Sequence, residues 1–335
     1  MKHSRVEESK APNPSTLQPF NSATRPFSQG AHRLAVVNAV ATFLLLFIGA
    51  LVTSKGAGLA VPDWPTTFGY NPFLYPWSKM VGNIFYEHSH RLVASAVGLL
   101  TIALAIALWR HERQRWLRRL GAAALVLVVA QGIVGGLRVV LLEQTLAIIH
   151  AGLAQAFFAL AVSLALFTSE EWRETAEKEA VRDAARLKRL CLITTGLIYL
   201  QGFFGAVLRH TGALLEMHLI FAVLVALHVI LIGARIWRRH LERIEFFTPT
   251  ALLCGLLFLQ LALGWWSYLG RYTIVLPPSW AVILRTSHVV VGALMLASSV
   301  VLTLRSHRYL ARKKRLPEPA WMALEAADRS GRLSA

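Results

Sequence analysis

Eight long apolar segments dominate the 335-residue chain and leave little choice of fold. A helix needs roughly 20 mostly apolar residues to cross the hydrocarbon core of a bilayer. Charged residues make up 16% of the chain, against roughly 25% in an ordinary soluble domain. The segments lie near residues 34–53, 86–109, 120–141, 146–167, 190–208, 214–236, 250–270 and 281–304. The sequence therefore predicts an all-α polytopic membrane protein with eight transmembrane helices.

The distribution of basic residues predicts how these helices are oriented. The formal net charge is +17, but the basic residues punctuate apolar runs instead of covering a hydrophilic surface, which argues against nucleic acid as a partner. Of the 35 Lys and Arg residues, 28 fall in the N-terminal stretch to Arg33, in alternate loops and in the tail from Arg305. Cytoplasmic loops carry the excess of Lys and Arg. We therefore predict that both termini are cytoplasmic and that the chain spans the cell (inner) membrane.

The same segments divide the chain into two halves. Residues 1–33 are polar and predict a flexible cytoplasmic N-terminus, and residues 34–167 form a first four-helix half. Residues 168–189 hold six basic and six acidic side chains, which is typical of a solvated, helical connector. Residues 190–304 form a second four-helix half, and residues 305–335 a basic cytoplasmic tail.

The longest external connection, from Ser54 to Phe85, is rich in proline and aromatic residues. Aromatic side chains are enriched at membrane–water interfaces. Two structures fit this composition: a loop that lies on the bilayer surface as an interfacial anchor, and a loop that caps a cavity.

A histidine motif recurs in the even-numbered segments, and a glycine motif in the odd-numbered ones. Each even segment has a histidine near its outer end with a small residue four positions later: His90/Ala94, His150/Ala154, His218/Ala222 and His288/Gly292. Three odd segments have a glutamine four positions before a glycine: Gln131/Gly135, Gln201/Gly205 and Gln260/Gly264. The first segment keeps Gly49, with Leu45 in place of the glutamine. The repeat predicts four helical hairpins, arranged as two pseudo-repeated four-helix bundles. The glycines themselves are explained by close helix packing.

Four histidines at one depth suit two heme irons. Imidazole is a common axial ligand of heme iron, and a small residue on the same helix face, one turn deeper, leaves room for a flat ring. Zinc is the main alternative, but no cysteine and few carboxylates accompany the histidines. A single intramembrane histidine is equally well a packing residue, whereas four in four repeats predict ligands. His210, at the end of the fifth segment, is an alternative to His218.

Charged side chains cluster near the four histidines. Four arginines at the outer helix ends are candidate partners for the carboxylates of a porphyrin, although arginine also extends from helix ends to the membrane surface. They are Arg91, Arg138, Arg209 and Arg285. Glu87 stands three residues before His90, and no other repeat has an acid at that offset. It is a candidate catalytic carboxylate, and the alternative is an anchor for a neighbouring arginine.

Several motifs resemble those of the heme A synthase family, and the resemblance covers about residues 34–304. They are GAGLAVPDWP at 56–65, EHSHR at 87–91, QGIVGGLR at 131–138, IHAGLAQ at 149–155, RHT at 209–211, MHLIFA at 217–222 and TSH at 286–288. The resemblance implies oxidation of the C8 methyl group of heme O to a formyl group, giving heme A for cytochrome oxidase biogenesis. It also implies a heme O synthase, an electron-transfer protein and a second copy of the chain as potential partners.

The resemblance further implies a role for each site residue. His90 and His150 are expected to bracket the substrate heme O, His218 and His288 to ligate a resident heme b, and Glu87 to be the functional carboxylate. The sequence departs from the family pattern in two places. Many members have two cysteines in the first external loop, where this chain has Val61 and Thr67, so a mechanism that needs their disulfide does not apply. The connection between the fifth and sixth segments is also unusually short.

Two other functions remain open at this point. A quinol-linked, di-heme b-type electron-transfer cytochrome would use the same four histidines, but it would not need Glu87 or a capping loop. A transporter with inverted repeats is a weaker alternative, since its polar sites normally lie at the bilayer midplane, whereas these lie at the outer helix ends.

Overall fold

A computed structural model describes residues 28–174, 178–181 and 183–312. The helices within these ranges are α1 (Gln29–Ser54), α2 (Asn83–His111), α3 (Arg115–Val140), α4 (Gln144–Phe167), α5 (Glu170–Arg173), α6 (Ala184–Thr211), α7 (Leu215–Arg239), α8 (Ile244–Tyr272) and α9 (Pro278–Tyr309). All except the single turn α5 are long and apolar enough to cross a membrane. The predicted all-α polytopic class with eight membrane helices is confirmed.

The helices start and stop at recognisable residues. The Ser28 side chain accepts a hydrogen bond from the Ala31 backbone N–H at 3.3 Å and so caps α1. Gly212 ends α6 in the left-handed conformation, with φ at +76°, which glycine adopts without steric cost. This confirms that the fifth and sixth segments are two helices. The helices extend several residues beyond the apolar segments because their polar terminal turns need not lie in hydrocarbon.

Each half closes on itself through helix packing. In the first half the consecutive helices contact one another and α1 also packs on α4. In the second half α6 packs on both α7 and α9, and α8 packs on α7 and α9. A cluster of buried apolar side chains lies in each half. The internal duplication and the orientation in the membrane stay predictions.

The two halves meet along α1, α4, α6 and α9. The Arg209 guanidinium donates hydrogen bonds to the Ala50 carbonyl at 3.0 Å and to Ser54 Oγ at 2.6 Å. Thr286 also donates to Ser54 Oγ, at 2.9 Å. These bonds join the end of α6 and the part of α9 that carries His288 to the end of α1.

The connector between the halves is not the helix that its sequence predicted. Its described residues contain the single turn α5, a short strand β1 (Glu179–Val181), which pairs in parallel with β2 (Leu310–Arg312), and the start of α6 from Ala184. Charged side chains of the connector also pair with distant residues, for example Arg173 with Glu112 and Glu171 with Arg305, so that only part of it is a solvated linker. Charge balance predicts solvation but cannot identify partners far away in the sequence. Residues 175–177 and 182 lie outside the described residues, as do 1–27 of the predicted N-terminus and 313–335 of the predicted tail.

Asp183, the residue before α6, is buried in a cluster of positive charge. Its Oδ2 accepts a hydrogen bond from Arg235 Nε at 2.8 Å and lies 3.3 Å from Arg239 Nη1. Burial alone would raise the pKa of Asp183, but the hydrogen bond from Arg235 and the neighbouring positive charges lower it below its usual value. This carboxylate therefore stabilises the junction between the connector and α7 in its ionised form.

We expect Asp183→Asn to lower the free energy of unfolding by about 1–3 kcal/mol at neutral pH, because it leaves Arg235 without its anion. Since the folded-state pKa is lowered, the stabilisation is present above the unfolded value of about 3.9 and is lost as the pH falls through the folded value. Thermal unfolding in detergent at neutral and acidic pH measures this, with the exposed Glu242→Gln as the control. If the difference in stability between Asp183→Asn and the wild type does not shrink in acid, the ionised carboxylate of Asp183 is not the source of the stabilisation.

Candidate functional site

Each of the four predicted histidines packs against a glycine of the helix that precedes it. The pairs are His90–Gly49, His150–Gly135, His218–Gly205 and His288–Gly264. A Cβ added to any of these glycines would meet the imidazole at 2.9–3.1 Å, which is closer than ordinary van der Waals contact. The glycines therefore make room for the imidazole rings. Sequence reasoning treated them as helix-packing residues, although their occurrence in every odd-numbered segment was the available signal.

In the second half, His218 of α7 and His288 of α9 face each other. Their ring centroids are 6.2 Å apart and their planes are inclined by 70°. Bonds from a metal to imidazole nitrogen are about 2 Å long, so two rings that flank one metal ion have centroids about 6 Å apart. His218 and His288 are thus spaced as two residues that would hold one iron between them. Nδ1 of both rings is buried, without a hydrogen bond from any residue that the structure describes.

In the first half, His90 of α2 and His150 of α4 are electrostatic neighbours, and Arg138 of α3 interacts with both. No group of three or more His, Cys, Asp or Glu side chains that could hold a metal ion occurs in the described part of the chain. His90 and His150 are thus neighbours in the first half, as His218 and His288 are in the second.

The alternative ligand His210 lies on the side of the first half. Its electrostatic partners are Arg138, Arg209 and His150. The partner of His288 is His218, through the ring contact described above. The geometry therefore favours His218 over His210 as the ligand of the second half.

Glutamines accompany three of the four histidines. The Gln201 side-chain amide lies 3.4 Å from His218 Nε2, and that of Gln260 lies 3.5 Å from His288 Nε2. The backbone of Gln131 interacts with the His150 ring. The side-chain oxygens of all three glutamines are buried, without a hydrogen bond from the described residues.

Glu87 is buried and holds the external loop to the start of α2. One carboxylate oxygen accepts a hydrogen bond from the Val61 backbone N–H at 2.9 Å, and the other pairs with Arg91 at 2.8 Å. The Arg91 guanidinium also donates to the backbone carbonyls of Val61 at 2.8 Å, Asp63 at 2.7 Å and Thr66 at 3.0 Å. The pair of Glu87 with Arg91 matches the anchoring alternative that the sequence left open, whereas the bonds of Arg91 to the loop carbonyls were not predicted. A contact of Arg91 with a cofactor carboxylate stays a prediction.

His88 is a third attachment point for the loop. It is fully buried, its Nδ1 lies 3.1 Å from Thr67 Oγ1, and its ring lies 5.1 Å from that of Tyr75. The loop also reaches α3, where Trp64 packs directly on Gly136. These contacts favour a loop that caps the end of the first half. We refer to Glu87, His88 and Arg91 as the loop latch.

The other three arginines differ in what they contact. Arg138 Nη2 donates to the Gly58 carbonyl of the loop at 2.7 Å, and it also interacts electrostatically with Glu87. Arg209 joins the two halves through α1. Arg285 is exposed, and none of the described residues forms a hydrogen bond with it. Judged by the described residues, Arg285 is therefore the one of the four arginines whose guanidinium is free to bind an external anion.

Asp63 organises the turn at the tip of the loop. Its carboxylate accepts hydrogen bonds from Thr66 Oγ1 and from the backbone N–H groups of Phe68 and Gly69, the latter two at 2.8 Å. Burial alone would raise the pKa of Asp63, yet these hydrogen bonds lower it to about 2. The carboxylate is therefore ionised, and holds the turn, throughout the physiological range.

We expect Asp63→Ala to make the external loop open more often. Loss of hydrogen bonds to a charged acceptor should lower the free energy needed to open the loop by about 1–2 kcal/mol. A protease should therefore cleave the loop roughly 5- to 30-fold faster. Lys79→Gln is the matched control, because Lys79 is exposed on the same loop and its side chain donates one hydrogen bond within the described residues, to Tyr70 Oη. Equal cleavage rates for Asp63→Ala and the wild type would show that the turn does not depend on this carboxylate.

Comparison with known proteins adds an independent line of evidence. Residues 32–219 match the COX15-CtaA family, described as cytochrome oxidase assembly protein. The chain is 31% identical to the heme A synthase of Shouchella clausii over 190 residues, which are 56% of this chain and 62% of that protein. It is 29% identical to the heme A synthase of Alkalihalophilus pseudofirmus over 184 residues, 54% of this chain and 60% of that protein.

A third relative, the heme A synthase of Lysinibacillus sphaericus, is 29% identical over 184 residues, 53% of this chain and 58% of that protein. The chain thus covers about 60% of the length of these relatives. The family match contains His90, His150 and His218 but ends before His288.

Proposed function

The chain belongs to the COX15-CtaA family of cytochrome oxidase assembly proteins, and from this premise we propose that it is a heme A synthase. The proposed reaction is oxidation of the C8 methyl group of heme O to a formyl group. The names of the relatives support this activity. The observation that carries it is the asymmetry between two similar histidine pairs: a buried carboxylate, Glu87, stands three residues before His90 of the first pair, and no buried carboxylate among the described residues stands at that offset in the second.

The second half is the proposed site of a resident heme b. The ring centroids of His218 and His288 lie 6.2 Å apart, so the two imidazoles would hold the iron of this heme between them, and Gly205 and Gly264 admit their rings. Residue Arg285 is proposed to bind a propionate of this heme by charge-assisted hydrogen bonds.

The first half is the proposed site of the substrate heme O, with His90 and His150 as its axial ligands. The heme iron, when bound, supplies the redox chemistry that side chains lack. The protein contributes position and environment: the loop held by the latch covers the outer end of the site and excludes water. Arg138, which interacts with both histidines, supplies positive charge for a propionate.

Glu87 is proposed as the carboxylate that holds a proton or a negative charge near the substrate. A buried carboxylate can accept a proton from a reacting group, and it can stabilise positive charge that develops on the substrate. Its two hydrogen bonds, from Val61 and Arg91, fix its position. The contact of Arg138 with the same loop places a second charged group of the first half close by.

Membrane placement follows from the charge distribution. We propose that both termini lie in the cytoplasm, that the histidine pairs lie near the opposite face, and that the membrane is the cell (inner) membrane. A heme O synthase that delivers the substrate, an acceptor that removes electrons and a second copy of the chain are the proposed partners.

Coexpression with a source of heme O tests this function directly. The pigments are extracted from the membranes and identified by mass, and we expect heme A to accumulate. Cells that lack the chain but contain the heme O source are the control. Heme O that stays unchanged while the purified chain holds heme b would refute the synthase and would favour the electron-transfer cytochrome.

A further inference from the structure

The His90 ring is turned differently from the other three. In His150, His218 and His288 the atoms nearest to the partner glycine are Cε1, at 2.9, 3.1 and 3.1 Å, and then Nδ1. In His90 the nearest atoms are Nε2, at 3.1 Å from the added Cβ of Gly49, and then Cδ2. The opposite edge of the ring therefore faces the glycine at His90.

The three rings that share one orientation also share a glutamine. The side-chain amides of Gln201 and Gln260 lie 3.4 and 3.5 Å from Nε2 of His218 and His288, and Gln131 holds the equivalent sequence position before Gly135, the partner of His150. A histidine that ligates a metal normally donates its other ring N–H to a carbonyl or carboxylate, and this bond fixes the tautomer and the ring orientation. Three of the four rings thus have a glutamine side chain available to supply this second contact.

His90 has no such contact. Leu45 occupies the position of the glutamine, and none of the described residues forms a hydrogen bond with the His90 ring. The leucine side chain cannot donate or accept a hydrogen bond. Within the described residues, the imidazole of His90 is therefore held without a hydrogen bond that would select one orientation of its ring.

His90 is also the one histidine of the four that shares its helical turn with the loop latch. Glu87 and Arg91, on either side of it, bond to loop residues Val61 and Asp63. His88 contacts the same loop. Displacement of the loop would therefore shift the turn of α2 that carries His90, whereas His150 lies on α4, away from the latch.

We propose that His90 is the exchangeable iron ligand of the first half, and that His150, His218 and His288 are fixed ligands. This inference rests on the proposed function, because it concerns the site of the substrate heme. Release breaks only the bond between iron and nitrogen, and the imidazole keeps its electron pair, so that no oxidant is consumed. The first half can then exchange substrate for product while the second half retains its heme.

Transfer of hemin from the purified full-length protein to apomyoglobin tests the proposal. With hemin loaded into both halves, we expect a fast and a slow phase of transfer. Leu45→Gln supplies the missing glutamine and should slow the fast phase by about tenfold or more, the usual effect of such a supporting contact on metal affinity. Gln201→Leu is the matched change in the second half and should accelerate the slow phase by a similar factor.

The origin of the fast phase is checked with single ligand variants. His90→Ala should change the fast phase and leave the slow phase as it is, whereas His288→Ala should change the slow phase alone. If both halves lose hemin equally fast, or if neither Leu45→Gln nor Gln201→Leu changes its phase, the inference is overturned while the heme A assay can still succeed. A chain that binds no hemin in either half would overturn the proposed function as well.

Discussion

Glu87→Gln is expected to lower heme A formation by about 100-fold or more, the effect of removing a group that transfers a proton. Glutamine keeps the size of the side chain and can still accept the hydrogen bond from the Val61 N–H, but it has neither charge nor a titratable proton. The variant should fold, retain heme b and accumulate heme O or a partly oxidised product. Pigment extraction from cells that also produce heme O measures the result.

Because Glu87 is part of the loop latch, its chemical role must be separated from its structural one. Thr67→Val removes the hydrogen bond to His88 at the other side of the latch and leaves Glu87 unchanged. We expect Thr67→Val to make the loop more sensitive to protease while preserving most heme A formation. Equal losses in both variants would assign Glu87 to loop anchoring, and a wild-type yield from Glu87→Gln would remove it from the mechanism.

The membrane fold could be predicted because the bilayer imposes a simple rule on sequence. A spanning helix must be long and apolar, and each of the eight segments meets that condition independently of its neighbours. The structure of the connector, in contrast, could not be predicted. The strand pairing of Glu179 with Leu310 and the burial of Asp183 depend on contacts over long sequence separations, for which charge composition carries no signal.

The pairing of the histidines was predictable because their repeat is written in the sequence. His218 and His288 recur at equivalent positions, and equivalent positions in packed hairpins come together. The loop latch was not predictable in the same way. The histidine repeat does not include His88. This residue is two positions from His90 and therefore projects from a different helix face. Its partner Thr67 lies in an irregular loop, where sequence spacing does not define which side chains meet.

Arg91 illustrates the limit of reasoning from charge alone. An arginine beside a proposed heme ligand suits a propionate, and nothing in the sequence distinguished that role from another. In the structure its guanidinium donates to the carbonyls of Val61, Asp63 and Thr66. Every residue has a backbone carbonyl, so the sequence does not indicate which carbonyls an arginine will bond to.

His218→Ala and His288→Ala are each expected to reduce the heme b content of the purified protein by about 100-fold or more. Removal of a ligand should cost at least as much affinity as removal of a supporting contact, which typically costs 10- to 100-fold. The two rings are 6.2 Å apart in the wild type. In either variant one of them is missing, so the other imidazole would hold the iron from one side alone. Heme extraction with pyridine and the absorption spectrum of the reduced protein measure both the content and the loss of the low-spin form.

Two further histidines provide controls for this experiment. His228 lies on the same helix as His218, and its Nδ1 bonds to the Leu224 carbonyl of its own helix at 2.8 Å, so His228→Ala should retain heme b. His210 interacts with Arg138 and Arg209 rather than with His288, so His210→Ala should retain it as well. Loss of heme b in His210→Ala but not in His218→Ala would identify His210, at the end of α6, as the ligand instead of His218. Unchanged heme content in both His218→Ala and His288→Ala would exclude the pair as ligands.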